Sequence, residues 1–144
     1  MLPQSKTVCA ITPVSKTNGA TATGNLIDTM GYDFCSIDIV ATTSDAASNK
    51  PSVLKMQEAD DTNASNLADV SGFMGGTDFT IANAATTGET NYKFNVDCRK
   101  RKRYLCVLVS PRTTQIIAGV ANLFRGEQAP ITATKANVLN LVEG

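Results

Sequence analysis

The side chains best suited to chemistry are the carboxylates of Asp60–Asn63, with Glu58 and Asp69 close by in the sequence. Carboxylate and amide oxygens are the usual ligands of hard cations, but this cluster lacks the EF-hand spacing, the central glycine and the terminal glutamate. Paired carboxylates also serve glycoside hydrolysis. Here no tryptophan is present to stack a sugar. The pattern therefore favours a solvated hairpin loop over a cation site or a glycosidase site.

No other set of residues in the sequence predicts catalysis. A serine or threonine nucleophile needs a base, and the chain has no histidine. A Ser-Lys pair is formally possible, but no motif places one. Gly72, Gly75 and Gly76 are not followed by the Lys-Ser/Thr of a phosphate-binding loop. We therefore expect a protein that is not an enzyme and has no catalytic residue.

The four cysteines, Cys9, Cys35, Cys98 and Cys106, have no CxxC spacing. A four-cysteine metal site needs ligand pairs on tight turns. Three of these cysteines fall instead on strand-like positions, where a thiol behaves as a small apolar side chain. We expect buried free thiols rather than a disulfide or a metal centre, and no cofactor.

One basic run, Arg99–Arg103, holds five of the thirteen lysines and arginines. It is a candidate contact for phosphate or for an acidic protein surface. The alternative is a solvated hairpin turn whose charges protect a strand edge. No aromatic residues are interleaved with the run and the pI is 6.2, so nucleic acid is the weaker functional interpretation.

The composition predicts one extended, surface-rich β domain. At 144 residues the chain can bury a core without disulfides or a structural metal. Charged residues make up 18% and net charge is zero, while threonine, alanine, asparagine and serine are abundant. No apolar run approaches the roughly 20 residues of a membrane span, and no secretory signal is visible at the amino terminus. We expect a protein that is made and used in the cytosol, or that leaves it by lysis, with no membrane partner.

Three segments near the middle of the chain predict successive strands. Tyr92–Cys98 alternates apolar and polar residues, as a strand with one buried face does. Tyr104–Ser110 is apolar on both faces, which is typical of a central strand. Gln115–Arg125 is again apolar and fits a closing strand, with Gly119 at a bulge or a close backbone approach. Joined by short connections, the three are expected to form a meander.

Further strands are predicted at Tyr32–Thr43 and Val53–Ala59, with shorter ones elsewhere, and turn residues separate them at regular spacing. The fold expected is all-β: an antiparallel β-sandwich or jelly roll of about 7–8 strands with extended terminal arms. We expect an N-terminal arm with an edge strand over residues 1–24, the sandwich over 25–129 and a tail over 130–144. Val8–Ile11 fits the edge strand. Lys135–Val142 fits either a short helix or an extended tail, and we favour the tail.

Four phrases occur in order along the chain: Asp28–Asp33, Leu54–Asp61, Leu67–Gly72 and Asp97–Leu105. Together they resemble small head proteins of tailed bacteriophages, the decoration or cement proteins that sit on the assembled shell. The resemblance covers roughly residues 25–126. It implies a virion protein on the outer capsid surface, with the major capsid protein as partner and a dimer or trimer on the shell. Cement adds buried area across capsomer seams, and many copies multiply a modest affinity.

The resemblance implies that the two termini, Met1–Ala20 and Pro130–Gly144, are arms that bind neighbouring subunits. It also implies that the basic run contacts an acidic surface of the capsid or of a sister subunit. The predicted partner-binding residues are Met1, Leu2, Arg99, Lys100, Arg101, Lys102, Ile131, Val138, Leu139, Leu141 and Val142. The alternative function is a carbohydrate-binding β-sandwich that mediates attachment to a host surface. That function needs exposed aromatic side chains on a face or loop.

Overall fold

The computed structural model describes residues 5–125 and 138–144, and in these ranges the chain forms ten β-strands and two short 3₁₀ turns. The strands are β1 Ser5–Lys16, β2 Ala22–Thr23, β3 Ile27–Asp28, β4 Phe34–Ala41, β5 Val53–Ala59, β6 Ala68–Met74, β7 Thr90–Asp97, β8 Tyr104–Ser110, β9 Gln115–Phe124 and β10 Asn140–Glu143. The 3₁₀ turns are Ala64–Asn66 and Cys98–Lys100. The all-β prediction is confirmed. The strand count exceeds the predicted 7–8 because three of the strands have only two to four residues.

Two sheets pack face to face. The front sheet has the strand order β1-β9-β4-β7-β10, and in the back sheet β2 and β3 lie beside β8, followed by β5 and β6. Pairing runs from the outside of the sequence inwards: β1 with β9, β2 and β3 with β8, β4 with β7, and β5 with β6. This nested antiparallel pairing is that of a jelly roll. The exception is β10, which lies parallel to β7 as an added strand.

The predicted meander of β7, β8 and β9 is wrong. β7 pairs with β4 and β10, and β9 pairs with β1 and β4, all in the front sheet, whereas β8 belongs to the back sheet. The connections after Asp97 and Ser110 each cross from one sheet to the other. Hydrophobic periodicity shows which face of a strand is buried, but it does not identify the neighbouring strand. That is why the strands were predicted and their order was not.

The core lies between the inner faces of the sheets. β7 buries alternate residues along its whole length, as predicted for Tyr92, Phe94 and Val96. Phe94 of the front sheet meets Phe73 of the back sheet edge to face, with ring centroids 5.7 Å apart and an interplanar angle of 87°. No residue of β8 is exposed, which confirms that it is a central strand. The interlocked aromatic pair fixes the two sheets in register.

One lateral seam between the sheets is closed by the segment that joins β2 to β3. The Gly24 N–H donates to the carbonyl oxygen of Val107 in β8, and the Asn25 N–H donates to that of Ala10 in β1, both at 2.8 Å. A Cβ on Gly24 would lie 2.7 Å from each of those two carbonyl oxygens. Glycine is therefore required at position 24, where one backbone segment is hydrogen-bonded to both sheets.

The opposite seam is closed by the C-terminal strand. The Asn140 side chain accepts from the Ala82 N–H at 2.7 Å and donates to the Thr80 carbonyl at 3.1 Å, which joins β10 to the loop after β6. The extended tail favoured over a helix is confirmed for residues 138–144, where β10 runs beside β7. Residues 135–137 of that prediction lie outside the described residues.

The N-terminal edge strand is confirmed and is longer than the predicted Val8–Ile11. β1 extends over Ser5–Lys16 along the edge of the front sheet. Its register with β9 shifts on either side of Ile11, opposite Gly119. A Cβ on Gly119 would lie 3.2 Å from Ile11 atoms, so the predicted bulge or close approach at this glycine is confirmed. The division at residues 24 and 129 stays a prediction, although β1 and β2 pair with strands of the sandwich.

Candidate functional site

The acidic cluster forms the tip of the β5–β6 hairpin. Asp61 accepts from the Asn63 N–H at 3.0 Å and from the Asn66 side chain at 2.9 Å. Asp60 forms an ion pair with Lys102 at 3.4 Å, and Glu58 accepts from the Lys102 N–H at 3.0 Å. In the described ranges no three His, Cys, Asp or Glu side chains converge as a metal site. The cluster lies in a hairpin loop, as favoured from the sequence, and its carboxylates also contact Lys102, which was not predicted.

The basic run lies at the end of the sandwich where the chain crosses from β7 to β8, so it is not the tip of a hairpin. Its guanidinium and ammonium groups contact carboxylates of the same chain. Arg99 Nε lies 2.9 Å from Asp97 Oδ1, and Arg103 Nη2 lies 2.8 Å from Asp28 Oδ2. Arg99 also lies over the Phe34 ring, at 4.9 Å from its centroid. The basic run is thus paired with Asp97 and Asp28 near it, and it meets the acidic hairpin only through Lys102.

Arg101 differs from its neighbours in the run. Its Nε is buried and has no hydrogen-bond acceptor among the residues that the structure describes. The side chain is half-buried, whereas Lys100 and Lys102 are exposed. A buried guanidinium N–H without an acceptor is destabilising. Because this N–H is buried, an acceptor from outside the molecule reaches it only if the side chain moves.

Ion pairing lowers the pKa of two of these carboxyls. The bidentate hydrogen bonds of Arg103 lower the pKa of Asp28 to about 2. The hydrogen bond from Arg99 also lowers the pKa of Asp97. On the back sheet, hydrogen bonds from Lys55 and then Gln57 lower the pKa of Asp69. These shifts describe carboxylates held ionised by partners, which is a structural role.

The outer face of the front sheet carries the largest apolar surface on a strand. Ile116 is 54% exposed, Val120 is 43% exposed, and the half-buried Ala118 lies between them on β9. Val40 on β4 is 44% exposed and is the cross-strand neighbour of Ala118. We call these four residues the apolar face. Large aliphatic side chains on the solvent side of a sheet mark a contact surface more often than scattered single ones do.

Sequence interpretation missed this surface although the signal was present. β9 alternates buried and solvent-facing residues, yet its solvent-facing positions 116, 118 and 120 are apolar. The apolar character of the segment was attributed to a closing strand. A strand with aliphatic residues on both faces is covered on both sides or has one face available for contact. The second possibility could have identified the apolar face.

The surroundings of the apolar face distinguish it from the rest of the surface. Beside it on the front sheet, Lys93 forms an ion pair with Asp38 and donates to the Ser36 hydroxyl at 2.9 Å. An open depression of about 470 Å³ is lined by Val40, Ile116 and Ala118 of this face and by the loop at Gly88 and Glu89. An apolar centre beside a paired polar group resembles the anatomy of a protein contact surface.

The outer face of the back sheet has the opposite character. Lys55 and Gln57 on β5 both bind Asp69 on β6, the ion pair at 2.8 Å and the amide at 2.8 Å. Ser71 on β6 is exposed. A polar network of this kind is well solvated and offers little area for burial.

The predicted partner-binding residues are dispersed. Arg99, Lys100, Arg101 and Lys102 lie together at the β7–β8 crossing. Val142 is buried in the sandwich core at 6% exposure, while Leu139 is 40% exposed. Val138 is half-buried, and Leu141 pairs through its backbone with Lys93. Met1, Leu2 and Ile131 lie outside the described residues. The binding roles of all these residues stay predictions, but the Val142 side chain packs in the protein's own core.

No aromatic side chain is exposed. Tyr92, Phe73 and Phe94 are buried, and the other five are half-buried: Tyr32, Phe34, Phe79, Tyr104 and Phe124. The polar cleft of about 400 Å³ between Lys50, Arg112 and the loop at 75–81 contains one aromatic residue, Phe79. Its ring packs edge-on against Phe94 at 6.1 Å. Among the described residues, no aromatic ring is as exposed as the stacking platforms of carbohydrate-binding faces.

Within the described ranges, no helix has the length and apolar character needed to cross a bilayer. No protein-family model and no curated protein matches the chain. Among solved structures it is similar to a chain in the structure of the infectious bursal disease virus Gx strain, with a TM-score of 0.52 and 12% sequence identity. The match covers 89% of this chain and 33% of that chain, so this protein spans about a third of the neighbour's length. At this identity the likeness shows a shared fold alone.

Proposed function

We propose that this protein is a structural component of a virus particle, of the decoration or cement type, which binds the outer surface of an assembled capsid shell. The observation that carries the proposal is the apolar face on a rigid jelly roll. The structural neighbour from a virus supports the fold class, and the phrases shared with phage head proteins support the narrower role. Fold alone does not specify function, so the argument depends on which surface is available for adhesion.

The apolar face is the surface best suited to bind a protein. The segment at Gly24 and β10 close the two lateral seams between the sheets. The outer face of the back sheet is polar, and the basic run is compensated by Asp97, Asp60 and Asp28. Burial of aliphatic area contributes about 25 cal/mol per Å², and the apolar face is where such area is exposed on a sheet.

The proposed occupant is an apolar or neutral patch of the major capsid protein in the assembled shell. A face of four aliphatic residues gives a small contact and a weak single-site affinity. A shell presents many equivalent positions, so oligomers of the protein would gain avidity from simultaneous engagement. The dimer or trimer expected from the resemblance is part of this proposal. So are the virion location and the non-catalytic role.

Leu139 and the basic run are proposed as secondary contacts. Leu139 is exposed at the start of the C-terminal segment, and Lys100 is exposed in the basic run. A carboxylate of the shell could pair with the Lys100 ammonium group. Both features lie away from the apolar face, so they extend the contact without being needed for it.

The direct test is reconstitution on shells assembled without this protein. After mixing and sedimentation, we expect the protein in the shell pellet at a fixed, saturable copy ratio to the major capsid protein. Decorated shells should withstand a higher temperature before they release their contents. A protein that stays in the supernatant at all concentrations, or decorated shells no more stable than bare ones, would contradict the proposal.

A further inference from the structure

The polar cleft at one end of the back sheet is a second candidate site, separate from the apolar face. It lies between the start of β5, the end of β8 and the loop that follows β6. Its volume of about 400 Å³ is within the usual range of ligand-binding pockets. Lys50 and Arg112 line the cleft together with the loop at 75–81, and no residue of the apolar face does.

The pairing of β5 with β8 brings the two cations to the same place. The strands are antiparallel, and Val53 lies opposite Ser110. The Ser52 N–H donates to the Ser110 carbonyl at 2.8 Å, so the pairing continues one residue beyond the start of β5. Lys50 precedes Ser52 by two residues, and Arg112 follows Ser110 by two. Both cations therefore emerge at this end of the back sheet, from neighbouring strands.

The loop that completes the cleft is held by its own contacts. Asp78 Oδ2 accepts from the Gly72 N–H at 2.7 Å and from the Met74 N–H at 3.0 Å. The Gly75 N–H donates to the Leu54 carbonyl at 2.9 Å, and a Cβ on Gly75 would lie 2.6 Å from that oxygen. The loop thus lies against β5 as only glycine allows. A wall that is already ordered lowers the entropic cost of binding a ligand.

The cleft has a surplus of positive charge. Lys50 and Arg112 are exposed, and within residues 5–125 and 138–144 neither forms an ion pair. Each of five other cations has a carboxylate partner: Lys55, Lys93, Arg99, Lys102 and Arg103. The remaining charged residue of the lining is Asp78, whose carboxylate holds the loop. Two positive charges and one negative charge leave a surplus of one.

We propose that this cleft binds the carboxylate of an acidic peptide side chain, aspartate or glutamate, from another protein. The guanidinium of Arg112 can bind both oxygens of a carboxylate at once, and Lys50 supplies a second positive charge. A surplus of one charge matches the single charge of a carboxylate. A phosphate group carries nearly two negative charges, and Asp78 would repel it more strongly. This site does not depend on the proposed contact with a shell.

The rest of the lining favours a peptide over a sugar acid. Thr77 and Thr80 are exposed in the cleft, and their hydroxyls can hydrogen-bond to the amide groups on either side of an acidic residue. Phe79 is the one aromatic residue of the lining. It is half-buried, with its ring packed edge-on against Phe94, so little of it is available for a sugar to stack on.

The test is a titration of the isotopically labelled full chain, followed through the NMR shifts of its backbone amides. The main probe is acetyl-aspartate amide, which has one carboxylate, and its matched neutral control is acetyl-asparagine amide. Glucuronate and inorganic phosphate represent a sugar acid and a more highly charged anion. We expect saturable shifts at Thr77, Thr80 and Arg112 with acetyl-aspartate amide and weaker binding of the other three probes.

Three variants identify the residues that bind acetyl-aspartate amide. Arg112→Gln should weaken binding by about three- to tenfold, and Lys50→Gln by about two- to fivefold. Lys100→Gln removes the same charge from the exposed basic run and should leave binding unchanged. Because all three positions are exposed, the unfolding midpoints should stay close to that of wild type.

Four results would each overturn the proposal. The first is the absence of saturable shifts with acetyl-aspartate amide, and the second is equal or tighter binding of any of the other three probes. The third is unchanged affinity in Arg112→Gln, and the fourth is an equal loss of affinity in Lys100→Gln. The first two results use the wild-type chain, so a folding defect in a variant does not protect the claim.

Discussion

Arg103 binds both carboxylate oxygens of Asp28, with Nε 2.9 Å from Oδ1 and Nη2 2.8 Å from Oδ2. The pair joins β3 to the residue that precedes β8, and the guanidinium lies over the Tyr104 ring at 4.9 Å from its centroid. A bidentate pair of this geometry is stronger than a single ion contact. It connects the basic run to the back sheet through two hydrogen bonds.

The Asp28–Arg103 pair predicts a pH-dependent part of stability. The pKa of Asp28 is lowered from 3.8 to about 2 in the folded protein. The stabilisation is therefore fully present above about pH 4 and is lost as the pH falls towards 2. Because both side chains are more than a third exposed, we expect Asp28→Asn to reduce the free energy of unfolding by only about 0.5–1 kcal/mol at pH 7. Urea unfolding at a series of pH values measures the difference.

The difference between wild type and Asp28→Asn should vanish near pH 2. The control Glu89→Gln removes the same charge from an exposed loop and should leave the free energy of unfolding within about 0.5 kcal/mol of wild type at pH 7. A gap between wild type and Asp28→Asn that persists unchanged at pH 2 would show that the carboxylate charge is not the cause.

Gly24 and Gly19 provide a matched pair of glycine substitutions. Gly24→Ala places a Cβ 2.7 Å from two backbone oxygens that belong to different sheets. We expect it to reduce the free energy of unfolding by about 2–3 kcal/mol because backbone must move at the seam. Gly19 has a φ of 77° but open space around it, so Gly19→Ala should cost about 1 kcal/mol from backbone strain alone. Equal effects in thermal or urea unfolding would refute the tight seam.

Val142 and Leu139 separate core packing from partner contact in the C-terminal segment. Val142→Ala removes buried methyl groups, and we expect it to reduce the free energy of unfolding by about 1–3 kcal/mol. Leu139→Ala, at 40% exposure, should change it by less than about 0.5 kcal/mol. If Leu139 contacts the shell, its variant should instead lower shell occupancy. An unchanged occupancy would remove Leu139 from the proposed contact.

Local patterns in the sequence identified strands well and their neighbours poorly. The alternation of Tyr92, Phe94 and Val96 predicted the buried face of β7, because period-2 burial is a property of the strand itself. The pairing of β9 with β1 and of β8 with β5 joins residues far apart in the sequence, and no local signal encodes it. The extended form of the tail was predicted, but its parallel pairing with β7 and the Asn140 hydrogen bonds were not, because they depend on residues far away in the sequence.

Candidate surfaces were harder to predict than the fold. The basic run and the acidic hairpin each suggested a partner when considered alone, and only the three-dimensional structure shows that Lys102 contacts both Asp60 and Glu58. The apolar face was overlooked because Ile116 and Val120 look like core residues in a sequence. Which aliphatic residues face solvent depends on whether a second layer covers that side of the sheet.

The compensation of the basic run predicts weak salt dependence of shell binding. Because binding through the apolar face is not mainly electrostatic, affinity should change less than about threefold between roughly 50 and 500 mM NaCl. Lys100→Glu should also leave affinity within about twofold. Sedimentation at several salt concentrations measures both. A tenfold loss in either experiment would instead identify the basic run as the principal contact.

The central claim, that the protein adheres to a shell through the apolar face, is tested most directly by two substitutions of equal charge on opposite sheets. Ile116→Asp places a carboxylate in the apolar face, and Ser71→Asp places one on the exposed edge strand β6 of the back sheet. Both positions are exposed, so both variants should fold with unfolding midpoints within a few degrees of wild type, about 2–4 °C. In co-sedimentation with shells that lack the protein, we predict that Ser71→Asp binds like wild type and that Ile116→Asp remains in the supernatant. Equal binding of the two variants, or loss of binding by Ser71→Asp alone, would contradict the account.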